Sequence, residues 1–474
     1  MGNRPRTASI HILDNDSLLH VFYLYRPFVS DEDFASPAHW ISDGWWWYTL
    51  AHVCSRWRNI ILGSATYLGL SLLCTNGTPV ADMLEHSPPL PLVVGYFMDR
   101  ELTTEDEEGI ILALKHHGRI RRIRLSNYVT IMPKLIMAMD EEYPILEYLY
   151  ITLPMKDNGS ILKFSETLQA PHLRYLMLRG FALPIGSRLL TTAANLVTLY
   201  LIMVDPSTYF SPNTLIQWIS LMPQLEMLSI YFKFSTPSRD VVRQVRQLVR
   251  TPIIAPITLP SLRRFDFHGV STYSEALAHR ITTPHLKKLK IQFFNQLTFS
   301  VPHLLQFIDA AENLRFDRAG FTFSEKKVDT VLYPNGETKV YALGVVVNCC
   351  HLDWQVSSMA QISNSLSQIF SGVEYLALRH NAQSGTPEEH NEADLTEWRK
   401  LLRPFNNVKT LRIQKGLVKD LSRCLESEDG ELSFKLLPEL QELRYSGSGR
   451  TDGAFTSFVD ARRNAGRPVT LVRR

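Results

Sequence analysis

The sequence predicts an α/β protein in which a small helical N-terminal segment precedes a curved β–α solenoid that carries an antiparallel β insertion. Three observations lead to this prediction. A leucine-spaced phrase recurs along most of the chain, helical spacing lies between its copies, and the first 65 residues do not fit the repeat. The 474 residues exceed the roughly 250–300 at which one compact core stops growing. Several domains or an elongated repeat array are therefore required.

Composition excludes several classes of function. The chain has 50 Lys and Arg against 47 Asp and Glu, a net charge of +3, so no whole-molecule attraction to nucleic acid or to an anionic membrane is expected. Five scattered cysteines are too few to stabilise a chain of this length through disulfide bonds, which indicates a reducing compartment. No apolar leader and no apolar run of roughly 18 residues is present. We expect a cytoplasmic or nuclear protein.

The recurring phrase has an apolar residue followed, three and five positions later, by two more. About ten copies occur, mostly about 23–37 residues apart, as at Leu146, Leu149 and Ile151. Its last two apolar positions lie two apart and so share one side of a strand. Residues 105–118, between two copies, have helical spacing instead. Strands alternating with crossover helices pair in parallel, and right-handed crossovers stack the units into a solenoid.

Two interruptions break this rhythm. Residues 328–334, the turn dipeptide Asn335-Gly336 and residues 337–347 are typical of a hairpin, so we predict an antiparallel decoration at about 320–350. A polar, acidic stretch at about 381–394 predicts a surface loop. Residues 451–463 and 469–472 predict a closing helix and an edge strand.

The N-terminal segment has two apolar helical stripes. The first follows Asp14 or Asp16, either of which suits an N-cap, and Pro27 ends it. A polar insertion at about 27–44 leads to a second stripe within residues 45–62. So short a segment buries little surface alone, so we expect a partner to cover it and the tryptophans at 45–47 to be exposed.

Residues 13–22 (LDNDSLLHVF) and 50–60 (LAHVCSRWRNI) together resemble an F-box, with Val-Cys-x-x-Trp-Arg as the most recognisable element. The Leu-Pro that usually opens this motif is Leu13-Asp14 here, and the stretch between the two helices is long. The recurring phrase resembles the leucine-rich repeat, in a divergent form without its usual Asn or Cys. The whole chain is similar to F-box proteins of mushroom-forming (basidiomycete) fungi. The resemblance places an F-box at 1–65 and divergent leucine-rich repeats at 66–474.

The resemblance implies a substrate receptor of a Skp–cullin–F-box ubiquitin ligase. The F-box would dock on the Skp-type adaptor and thereby reach a cullin-RING ligase, and the repeats would hold the client protein. The residues expected to bind the adaptor are Leu13, Leu18, Leu19, Phe22, Leu50, Val53, Cys54, Trp57 and Arg58. Two alternatives stay open: the helical stripes cap the solenoid without binding a partner, or the repeats form a protein-binding scaffold that is not coupled to ubiquitylation.

The strand positions that alternate with the inward leucines must face the concave side of the solenoid. They combine aromatic and Met residues with cations, a composition typical of protein-binding surfaces. The expected client-binding residues are Arg122, Arg124, Tyr148, Tyr150, Tyr175, Met177, Tyr200, Arg264, Lys288, Lys290, Arg379 and Arg412. The hypothesis is an acidic or phosphorylated client segment; the alternative is that these cations are merely solvated.

The sequence contains no motif for enzyme chemistry. Cys349-Cys350-His351 is a dense group of possible metal ligands, but adjacent strand residues point to opposite faces and no second pair follows at zinc-site spacing. Phosphate-binding glycine loops, nucleophile elbows and H-E-x-x-H are absent from the sequence. We expect no catalytic residue, no metal and no cofactor.

Overall fold

The structure is a computed structural model that describes residues 12–27, 45–96, 102–126, 130–153, 162–204, 210–233, 255–296, 298–336, 340–381, 393–426, 436–446 and 453–473. The chain divides into two compact units, Met1–Leu196 and Val197–Arg474. Most of the predicted insertion at 27–44 and of the predicted acidic loop at 381–394 lies outside the described residues. The predicted domain boundary near residue 65 stays a prediction.

The first unit begins with short helices and continues as strand–helix repeats. Its helices are α1 (Asn15–Tyr25), α2 (residues 45–51), α3 (Ser55–Gly63), α4 (Ala65–Leu68), α5 (Val80–His86), α6 (Thr104–Lys115), α7 (Met132–Ala138) and α8 (Arg188–Thr192). Its strands are β1 (Leu72–Thr75), β2 (Leu92–Tyr96), β3 (Ile120–Ser126), β4 (Tyr148–Thr152), β5 (Leu162–Lys163), β6 (Tyr175–Arg179) and β7 (Phe181–Ala182). Strands β1, β2, β3, β4 and β6 pair in this order, all in parallel, and β5 pairs separately with β7.

The second unit continues the same alternation. Its strands are β8 (Thr198–Val204), β9 (Met227–Phe232), β10 (Ile257–Thr258), β11 (Arg264–Gly269), β12 (Ile281–Thr282), β13 (Lys288–Phe293), β14 (Phe316–Ser324), β15 (Lys327–Pro334), β16 (Leu343–Asn348), β17 (Tyr375–Asn381), β18 (Thr410–Ile413), β19 (Glu442–Tyr445) and β20 (Thr470–Arg473). Its helices are α9 (Pro212–Ser220), α10 (Ser271–Ala278), α11 (Pro302–Asp309), α12 (Leu352–Ser365), α13 (Ser367–Ser371), α14 (Leu395–Leu402), α15 (Val418–Leu425) and α16 (Thr456–Asn464). The large sheet runs β8-β9-β11-β13-β16-β15-β14-β17-β18-β19-β20, and β10 pairs with β12.

The leucine phrase forms the core of each repeat. Leu173, Leu176 and Leu178 in one copy, like Leu286, Leu289 and Ile291 in another, are at most 2% exposed. Full burial of such side chains stabilises the fold by roughly 1.5–3 kcal/mol each. The prediction of a mixed α/β fold with parallel strand pairing is confirmed, because the spacing selects the strand face that the helices cover.

Backbone hydrogen bonds repeat from copy to copy just before each strand. In the first unit Arg174 N donates to Glu147 O over 2.9 Å. In the second unit the same bond joins Lys287 N to Arg263 O over 2.8 Å. The turn that follows the first leucine therefore stacks on the equivalent turn of the preceding copy, so the units keep their register despite irregular spacing.

The predicted hairpin region is part of the main sheet of the second unit, where a decoration outside the repeats was expected. Strand β15 runs antiparallel to both β14 and β16, while β14 pairs in parallel with β17 and β16 with β13. Gly336 closes the Asn335-Gly336 turn at φ +80°, a conformation that glycine adopts without strain. The chain reverses direction between β14 and β15 and again between β15 and β16. These two reversals place β15 in a sheet whose other strands are parallel to one another.

Candidate functional site

The N-terminal segment, defined as residues 12–27 and 45–68, is held together by local polar contacts and by aromatic pairs, one of which joins Tyr23 to Tyr67 with ring centres 5.3 Å apart. Asp14 caps α1 by accepting a hydrogen bond from Ser17 N (2.7 Å), and this bond lowers the pKa of Asp14. The Arg56 guanidinium donates to Leu13 O (2.6 Å) and to Asn15 Oδ1 (3.0 Å), which ties α3 to the start of α1.

Much of the apolar surface of this segment is buried within the first unit. Phe22 is 1% exposed, and its ring lies 4.9 Å from that of Trp57 in an edge-on arrangement. Trp47 is buried and its Nε1 donates to Ser71 O (3.1 Å), next to β1. Trp46 is buried too. The expectation that the tryptophans at 45–47 are exposed is therefore wrong for Trp46 and Trp47, because the chain itself buries both and Trp47 lies against the first repeat.

Most of the exposed large apolar side chains among the described residues nevertheless lie in the N-terminal segment. Of the sixteen large hydrophobic residues that are exposed among the described residues, nine lie in this segment. Leu24 is 69% exposed and Val53 is 58% exposed. The nine are Ile12, Leu13, Val21, Tyr23, Leu24, Tyr25, Tyr48, Val53 and Tyr67. Apolar exposure concentrated in one segment indicates an interaction surface, whereas single residues scattered over a protein do not.

The predicted adaptor-binding residues fall into three groups. Leu13, Val53 and Arg58 are exposed. Leu19, Leu50, Cys54 and Trp57 are half-buried. Leu18 and Phe22 are almost completely buried, so their side chains offer no surface to a partner. Ile12, Leu24 and Tyr25 were missed, although Leu24 and Tyr25 are apolar residues beside the predicted stripe.

A cavity of about 360 Å³ lies between the N-terminal segment and the first repeat. Its apolar wall includes Trp45, Trp47, Tyr48 and Met83, and Arg58 adds a cation. The cavity belongs to the first unit alone and adjoins the exposed Tyr48, so it extends the apolar surface of the segment.

We call the strand face opposite the helices the open face of each unit. In the first unit it includes an aromatic pair and a cation–π contact: Tyr148 stacks on Tyr175 with ring centres 4.3 Å apart, and Arg124 lies 4.7 Å from the centre of the Tyr150 ring. Trp45 packs against the cluster of Leu73, Val93 and Tyr148.

This packing limits the first open face as a binding surface. Tyr148 is 4% and Arg124 5% exposed, so neither has appreciable surface left for a client, and burial raises the pKa of Tyr148. The predicted client residues Arg122, Tyr150, Tyr175 and Met177 keep partial exposure. The alternation of the strand placed all six residues on this face, but it contained no signal that Trp45 would cover part of it.

The open face of the second unit is more polar. Arg264 donates to Asp266 Oδ2 through Nε (2.8 Å), and its Nη2 lies 2.7 Å from the same oxygen. Burial alone would lower the pKa of Arg264. The hydrogen bond and the charge of Asp266 raise it by more, so the pKa of Arg264 is raised overall. Lys288 Nζ lies 4.4 Å from the centre of the Tyr341 ring. Burial, and then the charge of Lys290, lowers the pKa of His268 to about 4.

Cations outnumber carboxylates eight to three on the alternating strand positions of this second open face. The cations are Arg264, Lys288, Lys290, Arg318, Lys327, Arg379, Arg412 and Arg444, and the carboxylates are Asp266, Asp329 and Glu442. Arg264, Lys327 and Arg444 each pair with one of these carboxylates. The face therefore has a positive excess, as the sequence suggested.

Between the flanking cations, one row of the second open face carries only Gly, Val and Ala. Lys290, Gly344, Val331, Gly320 and Ala377 occupy one row across neighbouring strands. Of the predicted client residues here, Tyr200, Arg264, Lys288 and Lys290 are half-buried and Arg379 and Arg412 exposed. Sequence reasoning missed Tyr231, which continues the alternation of β9 by one step, and Tyr341, which lies outside any strand.

Chemical sites of other kinds do not emerge from the described ranges. Within them no group of three or more His, Cys, Asp or Glu side chains could hold a metal ion. Cys349 is buried and Cys350 exposed, as adjacent strand-end residues would be. None of the described helices combines the length and apolar character needed to cross a membrane.

Comparison with known proteins gives little to add. No protein-family model matches the chain, and no curated protein matches it. Among solved structures, the chain is similar to the leucine-rich repeat-containing protein LegL7 from Legionella pneumophila, with 13% identity and a TM-score of 0.26. That likeness covers 79% of this chain and 90% of the other. At this TM-score it carries no weight for function.

Proposed function

We propose that the protein is the substrate-recognition subunit of a Skp–cullin–F-box ubiquitin ligase. In this proposal the N-terminal segment docks on the Skp-type adaptor and the open face of the second unit binds the client. The observation that supports it most is the concentration of exposed apolar side chains on the N-terminal segment, the part of the chain that resembles an F-box.

The contacts with the adaptor would come from the exposed side chains of the segment. Leu24 and Val53 each keep more than half of their surface in water. Burying such a residue at an interface is worth roughly 1.5–3 kcal/mol, so a few of them can supply most of a binding energy. Leu18 and Phe22 would act indirectly, because they fix α1 against α3 from within.

The client would be a protein with an acidic segment. Five cations of the second open face, Lys288, Lys290, Arg318, Arg379 and Arg412, have no carboxylate within ion-pair distance among the described residues. Charge complementarity of this kind steers partners and selects among them more than it adds raw affinity.

The second candidate is a protein-binding scaffold that is not coupled to ubiquitylation. The burial of Trp47 favours it, because Trp47 lies against Ser71 next to β1 and is therefore covered by the first repeat without any partner. Under this alternative the open face would still bind a protein, but no adaptor would associate with the chain.

Co-purification of the full chain with the Skp-type adaptor from its organism of origin separates the two candidates. The test variant is Leu24→Lys with Val53→Lys, which adds charge to two exposed positions and leaves the buried contacts intact. Ile185→Lys, at a position 72% exposed elsewhere in the first unit, is the matched control. We expect the double variant to lose the adaptor and the control to keep it, with equal melting temperatures. Equal adaptor recovery with both would favour the scaffold.

A further inference from the structure

Seven side chains of the second open face form a cluster, and the proposed function does not say which chemical group of the client this cluster binds. We call Tyr200, Tyr231, Arg264, Asp266, Lys288, Lys290 and Tyr341 the phenol–cation cluster. Arg264 pairs in register with Lys288, and Asp266 with Lys290, on neighbouring strands. In-register residues lie about 5 Å apart and alternate residues of one strand about 7 Å, so Arg264, Lys288 and Lys290 lie within one small area.

The charge of this cluster is not balanced. Three cations and one carboxylate leave a net charge of +2, since His268 beside them is neutral at physiological pH. Burial and the charge of Arg264 lower the pKa of Lys288, as expected for cations held close together. No carboxylate in the described ranges comes within ion-pair distance of either lysine.

The carboxylate lies beneath the cations. The side chain of Asp266 is 1% exposed, whereas that of Arg264 is 38% exposed. Ser229 Oγ and Arg264 both donate to its Oδ2, so its charge is paired with Arg264 and has almost no exposure of its own. A ligand approaching the open face would therefore meet the cations first.

Phenol groups surround the cations. Burial, then the charge of Asp266, raises the pKa of Tyr231 to about 12, and burial likewise raises that of Tyr341. Both hydroxyls therefore stay protonated at neutral pH and can donate hydrogen bonds. The Tyr341 ring also holds Lys288 in place.

We propose that the phenol–cation cluster binds a phosphomonoester dianion carried by a side chain of the client. The inference rests on the proposed function, and it specifies which client chemistry the second open face selects. A phosphomonoester has a charge near −2 and three acceptor oxygens, which match the net charge of +2 and the two lysines that have no carboxylate within ion-pair distance among the described residues. A carboxylate, with one charge and two oxygens, would leave the cluster half neutralised.

Calorimetric titration of the full chain at pH 7.5 with phenyl phosphate, phenyl sulfate and inorganic phosphate tests the inference. Phenyl sulfate has the same shape but a single charge. We expect phenyl phosphate to bind at least tenfold more tightly than phenyl sulfate, and at least fivefold more tightly than inorganic phosphate. Lys288→Gln and Lys290→Gln should each weaken binding of phenyl phosphate about tenfold, and Lys287→Gln, an exposed neighbour, should leave it unchanged.

Equal affinity for the dianion and the monoanion, or equal loss with Lys287→Gln, would overturn the inference. Tighter binding of inorganic phosphate than of the ester would assign the cluster to free phosphate and overturn it as well. Should Lys288→Gln fail to fold, Lys290→Gln and the comparison of ligands on the unaltered chain still decide. We expect these lysine variants to leave adaptor co-purification unchanged, so a negative titration leaves the proposed function standing.

Discussion

Replacing Phe22 by Ala should detach α1 from α3 without unfolding the repeats. Phe22 is 1% exposed and its ring packs edge-on against Trp57. Removing a fully buried Phe costs about 3–5 kcal/mol, of which the aromatic pair supplies about 0.5–1.5 kcal/mol. Short helices with few other contacts have a local stability no larger than this, so α1 should open on its own.

Hydrogen exchange followed by mass spectrometry measures this opening directly. In Phe22→Ala, we expect the amides of Asn15–Tyr25 to lose protection while those of β4 and β6 stay protected. Leu24→Ala, at an exposed position in the same helix, is the control and should exchange like the unaltered chain. Adaptor binding should fall in Phe22→Ala together with helix protection, because Phe22 positions the contact residues. Undiminished protection of α1 in Phe22→Ala would refute the assignment of Phe22 as the residue that holds the segment together.

Three further predictions concern stability and reactivity. Glu275 accepts hydrogen bonds from His303 N (2.8 Å) and Leu304 N (3.0 Å) at the start of α11, so Glu275→Ala should cost about 1–3 kcal/mol in urea unfolding; an unchanged midpoint would contradict this. The lowered pKa of His268, about 4, means that the unfolded chain takes up a proton near pH 6.5 while the folded chain does not. Stability should therefore fall by about 1–3 kcal/mol between pH 6.5 and 4, and His268→Asn should flatten that part of a pH series of urea melts. Iodoacetamide should label the exposed Cys350 in the native chain and spare Cys349, whose burial raises its pKa to about 11; peptide mapping that finds both labelled equally would argue against the described packing.

The repeat itself could be predicted because its signal is local. Each copy places three apolar residues at fixed offsets, and these offsets alone decide which strand face is buried. Leu228 and Ile230, two positions apart in β9, are both 0% exposed as the spacing requires. Strand pairing order carries no such local signal. The Asn335-Gly336 turn indicated an antiparallel hairpin, but its insertion between β13 and β14 depends on contacts far apart in the chain.

For the candidate site, the sequence predicts which face of a helix or strand a residue lies on, but not whether that face is covered. Amphipathic spacing identified Leu18 and Phe22 as apolar-face residues, yet it does not tell whether the chain or a partner covers that face. Tyr148 and Arg124 had the right strand positions, and only the packing shows that Trp45 covers Tyr148 and that Arg124 lies over the Tyr150 ring. Tyr341 reaches the second open face from outside the strands, where no periodicity applies.

The inserted strands also set a length requirement. β16, β15 and β14 separate β13 from β17 in the sheet order. Four intervals of about 4.8 Å place the lysines of β13 about 19 Å from Arg379 of β17. An extended peptide rises about 3.3 Å per residue, so a ligand that engages both ends must be at least about six residues long and cross the sheet perpendicular to its strands. The inserted strands therefore set a minimum length for a peptide ligand, and a shorter peptide would contact either the lysines of β13 or Arg379, but not both.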